Sequence, residues 1–175
     1  MKKTYLSLMQ LLFISLIISF VISCNKEDEG RTFETELAEL NAFLREREAE
    51  GNDVDTTDLG VYYIKYAKGT GPYPEAGDTC YLEYFAFHPD GTLFDATRDY
   101  ANRTWEFIYL HQNLSVGLNE GIGMMNKGTF MDIIIPSHLA YGSQGTKQVP
   151  PYTSVIYRSE MHDIKFRKEK EEEEQ

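Results

Sequence analysis

The chain has 175 residues, a formal net charge of −11, 42% apolar residues and 13% aromatic residues. The apolar content suffices for one packed domain with extensions. The acidic balance, with no basic stripe interleaved with aromatics, excludes non-specific nucleic-acid binding.

Residues 1–23 read as a secretory signal rather than as part of the fold. Lys2 and Lys3 form a basic start, Leu6–Ile22 is an apolar run broken only by Ser and Gln, and small Ser23 precedes Cys24. Val21-Ile22-Ser23-Cys24 resembles a bacterial lipobox. That resemblance implies cleavage before Cys24 and lipid attachment to it. At 17 residues the apolar run is at the short limit for spanning a bilayer. The mature chain would then carry a charge of −13, with Cys80 its one free thiol beside the lipidated residue. A lone cysteine in an apolar context reads as buried. Residues 25–30 (NKEDEG) form a charged tether.

Thr32–Glu50 is predicted to be a helix, with Phe33, Leu37, Leu40 and Leu44 on one apolar stripe, Phe43 widening it, and Gly51 stopping it. Glu36 counts here among the helix-forming or solvated charges. The stripe packs on the following domain in the favoured reading and on a second copy of the chain in the other. Asp53–Leu59 reads as a polar linker. Strands are predicted at 60–66, 79–87, 105–109, 130–135 and 155–166, from β-branched and aromatic content and alternation. Along the last, Val155, Tyr157 and Met161 face one way and Arg158, Glu160 and His162 the other. Pro89-Asp90-Gly91 is a turn, with Phe94-Asp95 beyond it. A short helix over Ser115–Asn126 carries Leu118, Ile122 and Met125; its glycines 117, 121 and 123 make sense if something packs closely on it. Lys168–Gln175 is a solvated charge run. The class is α+β: a curled antiparallel sheet packed on one short helix, preceded by an N-terminal helix.

The longest functional signal is Ile133–Pro151. A β-branched run ends at Pro136 and passes into a long polar loop carrying Leu139, Ala140 and Tyr141, closed by Pro150-Pro151. Tyr141 offers a flat apolar ring with one hydroxyl, suited to an apolar ligand with a carbonyl to hold. Other chemistries find little support. His88, His111, His138 and His162 lack metal-ligand spacing and read as solvated or satisfied. Ser115 has no Gly-x-Ser-x-Gly setting. Gly69-Thr70-Gly71-Pro72 lacks the Lys-Ser/Thr of a phosphate loop. No metal or cofactor is expected.

Taken together, Gly69-Thr70-Gly71, Gly77-Asp78, Glu83-Tyr84, Asp90–Asp95, Gly117–Gly121, Met125–Gly128, Ile135-Pro136, Leu139–Gly142 and Val149-Pro150-Pro151 resemble the FKBP-type peptidyl-prolyl cis-trans isomerases, in the family's order and spacing from Lys68 to Phe166. The resemblance implies an FKBP-like domain over 60–166 with a pocket for proline-containing polypeptides. Tyr84, Phe94, Asp95 and Tyr141 would be its catalytic set: Tyr84 and Phe94 as walls, Asp95 as the polar member, Tyr141 as hydrogen-bond donor to the ligand. Trp105, standing where the family has Phe, would bind substrate together with Leu114, Ser115, Leu118, Val149 and Tyr157. Leu118 stands at the floor where the best-known members have Trp. Ser115 replaces an aliphatic whose backbone N–H the family uses. The loop 143–148 is one residue short and less apolar. The implied function is a lipid-anchored prolyl isomerase of the cell envelope that assists folding of exported proteins. The alternative is the same fold acting as a binding or chaperone module with weak or no isomerase activity.

Overall fold

Thr32 caps the first helix, α1 (Phe33–Ala49), by a reciprocal exchange in which each of Thr32 and Thr35 donates its backbone N–H to the other's hydroxyl. Gly51, at φ +87°, takes the chain out of the helix. The strands follow: β1 (Asp55–Thr56), β2 (Tyr62–Ala67), β3 (Thr79–Phe87), β4 (Leu93–Ala96) and β5 (Trp105–Ile108). Then come α2 (Val116–Gly123), β6 (Phe130–Ile135) and β7 (Val155–Lys165). This computed structural model describes residues 30–99 and 103–167. The signal segment, Cys24, the tether before Gly30 and the charged tail lie outside the described residues.

All pairings are antiparallel, in the order β1-β2-β6-β7-β3-β4, with β5 sharing β3's outer edge. The expected polar linker therefore contains a two-residue strand, since Asp55 and Thr56 pair with Tyr63 and Tyr62. β7 is central, flanked by β6 and β3. Its register slips at Tyr81/Leu82 of β3, where the chain passes from Asp163 to Met161, so His162 is the extra residue of a bulge. The bulge reverses the alternation, which is why Met161 and Ile164 both belong to the inner core.

One face of the sheet buries Leu82, Tyr84, Met131, Ile133, Ile135, Val155, Tyr157 and Met161 against Leu118 and Ile122 of α2 and Met125 just beyond it. The approach is close because α2 presents glycines. A Cβ at Gly121 would lie 2.3 Å from Ile133 Cγ2, and one at Gly117 2.3 Å from Ile135 Cγ2. Cys80 is fully buried in this core, and its thiol is pushed up to about 12, first by burial and then by Asp78. It is therefore protonated and shielded at neutral pH.

The other face carries a second cluster, Leu40, Phe43 and Leu44 of α1 on Ile64, Ile134 and Ile156. The α1 stripe differs from expectation. Phe33 and Leu37 stay 52% and 45% exposed, while Glu36 is 2% exposed. The buried face runs 36, 40, 43, 44, and Glu36 is tolerated there because it accepts hydrogen bonds from Ser137 N–H, Ser137 Oγ–H and Ser154 Oγ–H. Beyond α1, the same face holds Asp132, fully buried, with Arg158 donating to both its oxygens at 2.8 Å and Tyr66 donating at 2.8 Å. Burial, then the bond to Asp132, holds the Tyr66 phenol up at about 12.

Candidate active site

The rim loop leaves β6 at Pro136, makes one 3₁₀ turn over Ser137–Leu139, and returns to β7 by way of Val149. Gly142 and Gly145 both have positive φ, at 63° and 60°. At Gly145 a Cβ would lie 2.4 Å from Val149 O, so only glycine permits the fold-back. That fold-back is closed by Thr146 N–H donating to Val149 O at 2.7 Å, with Val149 N–H donating to Thr146 Oγ1 at 3.0 Å. The turn buries Val149 in the core and sets Tyr141 half-buried beside it.

Opposite, the alternation of β3 points Tyr84 inward, and the Pro89-Asp90-Gly91 turn returns the chain so that Asp95 lies beside it in register with Ala86. Tyr84 Oη–H donates to Asp95 Oδ2 at 2.7 Å, and Ala96 N–H donates to Asp95 Oδ1 at 2.9 Å. Asp95 is thus at once a candidate site residue and a local backbone cap. The rings meet mostly edge to face, the favoured geometry for aromatic quadrupoles. Tyr84 meets Trp105 at 6.0 Å and 79°, Phe94 meets Tyr157 at 6.2 Å and 89°, and Tyr84 meets Tyr157 at 5.4 Å and 58°. Trp105 in turn stacks on Phe107 at 4.1 Å.

Ring contacts and hydrogen bonds thus link Tyr84, Phe94, Asp95, Trp105, Tyr141 and Tyr157. Tyr84, Leu118, Val149 and Tyr157 are buried in the inner core, and Phe94, Trp105, Leu114 and Tyr141 pack against that core half-exposed. Ser115 has a side-chain task besides its backbone: it is the N-cap of α2, accepting from Leu118 N–H at 3.3 Å. Tyr141, expected to donate to a ligand, shares a 2.9 Å hydrogen bond with Tyr157 Oη.

Sequence reasoning missed two supports. Gln148 donates from Nε2 to Phe94 O at 3.1 Å, tying the rim loop to β4. His88 stacks on the back of Phe94, with centroids 5.0 Å apart and planes at 19°. His88, expected to be solvated or satisfied, is half-buried: the Gln148 backbone faces its ring, while its Nε2 is buried with no hydrogen-bond partner among the described residues. No local signal marks Gln148, but the position of His88 one residue before the turn, six before Phe94, offered a clue to a ring–ring contact across the hairpin.

The family model described as FKBP-type peptidyl-prolyl cis-trans isomerase matches residues 71–162, more than half of the chain. The chain belongs to the FKBP-type peptidyl-prolyl cis-trans isomerase family. Among curated relatives, a probable FKBP-type peptidyl-prolyl cis-trans isomerase of Haemophilus influenzae is 27% identical over 150 residues, covering 85% of this chain and 56% of that protein. The FKBP-type isomerase FkpA of Escherichia coli is 29% identical over 121 residues, covering 69% of this chain and 44% of that protein. The chain thus spans about half the length of these curated relatives. The crystal structure of E. coli FkpA superposes with a TM-score of 0.62 at 27% identity, covering 76% of this chain and 62% of that one. The FKBP-like α+β architecture predicted from sequence is the one observed.

Proposed function

We propose that the chain is a peptidyl-prolyl cis-trans isomerase acting on proline-containing polypeptides without a covalent intermediate, at the site formed by Tyr84, Phe94, Asp95 and Tyr141. The observation that carries this reading is the convergence of those four residues, from β3, β4 and the rim loop, on one aromatic edge within the family-matched segment. An X–Pro bond resists rotation by about 18–20 kcal/mol because twisting destroys amide resonance. The planar amide is the more polar form, so an apolar aromatic surface that excludes water favours the twisted one. A hydrogen bond aimed at the twisted carbonyl, here from the Tyr141 hydroxyl, strengthens in the transition state and lowers the barrier. Trp105, Leu114, Ser115 and Leu118 would bind the flanking residues.

An isomerisation assay with a short Leu-Pro peptide and the full-length chain, in detergent where the N-terminal run requires it, tests this. Acceleration is expected, and Phe94→Ala should reduce kcat/KM about a hundredfold by removing an aromatic wall worth about 2–3 kcal/mol. No acceleration from a folded sample would leave the binding or chaperone module, the reading that Leu118 at the floor favours.

The N-terminal order of basic, apolar and small residues before Cys24 supports a lipid anchor there, placing the protein on a bacterial cell-envelope membrane where it would assist folding of exported chains. Metabolic labelling with a fatty acid should mark the wild type and not Cys24→Ala; equal labelling sinks the anchor. Phe33 and Leu37, exposed on α1, support self-association through Thr32–Glu50.

A further inference from the structure

A cavity of about 350 Å³ lies between α1 and the β3–β4 turn, outside the aromatic site but sharing a wall with it. The shared wall is the Phe94–His88 stack: Phe94 belongs to the aromatic site and His88 lines the cavity. The rim loop joins the two places again, since Val149 is in the site and Pro150, the next residue, lines the cavity. An extended polypeptide advances about 3.3 Å per residue. A client whose proline rests on Phe94 therefore reaches the cavity within about two to four residues.

The lining has a definite chemistry. Phe43, Pro89 and Pro150 make it apolar along its length. Its charged groups are Arg31, Glu39, Glu46 and Asp90. Arg31 is neutralised by a two-nitrogen contact with Glu39. Burial keeps His88 below its ordinary value, so it adds no charge at neutral pH. Asp90 is exposed and accepts from Thr92 N–H of the turn, and Glu46, exposed at its side chain, meets Arg47 at a loose 3.4 Å. The surplus is negative, as on the whole chain. Arg31 Nε and His88 Nε2 are buried at the wall with no partner among the described residues. A peptide carbonyl would satisfy the Arg31 Nε–H, and a peptide N–H the Nε2 of neutral His88, whose other nitrogen faces the Gln148 backbone.

We propose that this cavity is a second client subsite, which takes an extended segment flanking the proline and selects a lysine or arginine in it. The aliphatic stem lies on Phe43 and Pro89, and the cationic head reaches Glu46 and Asp90. The proposal rests on the isomerase reading above, and α1 thereby becomes part of the substrate surface.

Two twelve-residue peptides with the same Leu-Pro centre separate the possibilities, one with Lys and one with Glu at the third and fourth positions on both sides. The full-length chain should show a KM about tenfold lower for the Lys peptide, the sum of two partly exposed charge pairs. Glu46→Gln/Asp90→Asn should abolish that difference and leave kcat/KM for a four-residue Leu-Pro peptide as in the wild type. Equal KM values in the wild type, or a preference that survives in the double variant, overturn the subsite. If neither peptide is isomerised, the isomerase reading fails separately. Fluorescence anisotropy of the same labelled peptides then decides: a Lys preference lost in the double variant upholds the subsite, and no preference overturns it.

Discussion

Glu36→Ala is expected to lower unfolding free energy by about 3 kcal/mol, and the midpoint of thermal unfolding by about 10 °C. Glu36 is 2% exposed and receives three donors from both ends of the rim loop, Ser137 before it and Ser154 after it. Truncation leaves one N–H and two hydroxyls buried and unmatched, at about 1–3 kcal/mol each, offset by removing a buried charge. Glu36→Gln should cost about half as much, because the amide oxygen still accepts while its NH₂ faces donors. Urea unfolding of the three proteins provides the check. Hydrogen exchange should also quicken along 137–153 in Glu36→Ala, since the carboxylate staples both ends of that loop to α1. A loss below about 1 kcal/mol would show that α1 is an appendage and not a support of the site.

Gly121→Ala is the second large effect, and it works in the opposite sense, by adding an atom. The new Cβ would meet Ile133 Cγ2 at 2.3 Å and Cδ1 at 2.8 Å, closer than real Cβ contacts allow. Alanine's better helix propensity, worth about 1 kcal/mol over glycine, opposes this. Overpacking in a dense core costs about 1–3 kcal/mol, and the 2.3 Å contact puts this site at the upper end, so the net expectation after the propensity gain is a loss of about 2 kcal/mol. Ile133→Ala removes the clashing atoms and alone costs about 3 kcal/mol. Combined, the two should lose at least about 1 kcal/mol less than their sum, because each relieves the other. Additive losses in denaturant titrations would mean that α2 shifts bodily and that the glycines do not set its approach.

Much of this was legible before any coordinates. The alternation in β3 and β7 and the β-branched run of β6 report directly which residues face the core, because side-chain direction has period two. The three glycines of α2 foretold a close approach: Ile135 approaches Gly117, Ile133 approaches Gly121, and the Tyr109 hydroxyl approaches Gly123. Tyr84, Phe94, Asp95 and Tyr141 were collected by motif order, and folding does bring them together. The failures have one physical source, which is that burial depends on partners distant in sequence. Glu36 was read as a helix charge because the serines that satisfy it lie about a hundred residues later. Phe33 and Leu37 were read as core because a stripe shows periodicity but not the width of the surface it meets. The β1 pairing is two residues long, below what composition can mark. Ser115 was judged as a missing aliphatic, whereas its place just before a helix was itself the signal for a cap.

The position of β7 also bears on how the domain forms. Without it, the sheet is two ribbons with no hydrogen-bonded link: β1, β2 and β6 on one side, and β3 with β4 and β5 on the other. The rungs between β3 and β7 join residues roughly 70–85 positions apart, the kind of long-range closure that slows folding. A nascent chain emerges from its N-terminal end, so the piece that sutures the halves is made after the sheet's other strands. Until Lys165 is free, the Tyr84 half and the Tyr141 half of the site belong to different ribbons. A protein proposed to hasten the folding of others thus completes its own working surface in a single late step, with exposed strand edges until then.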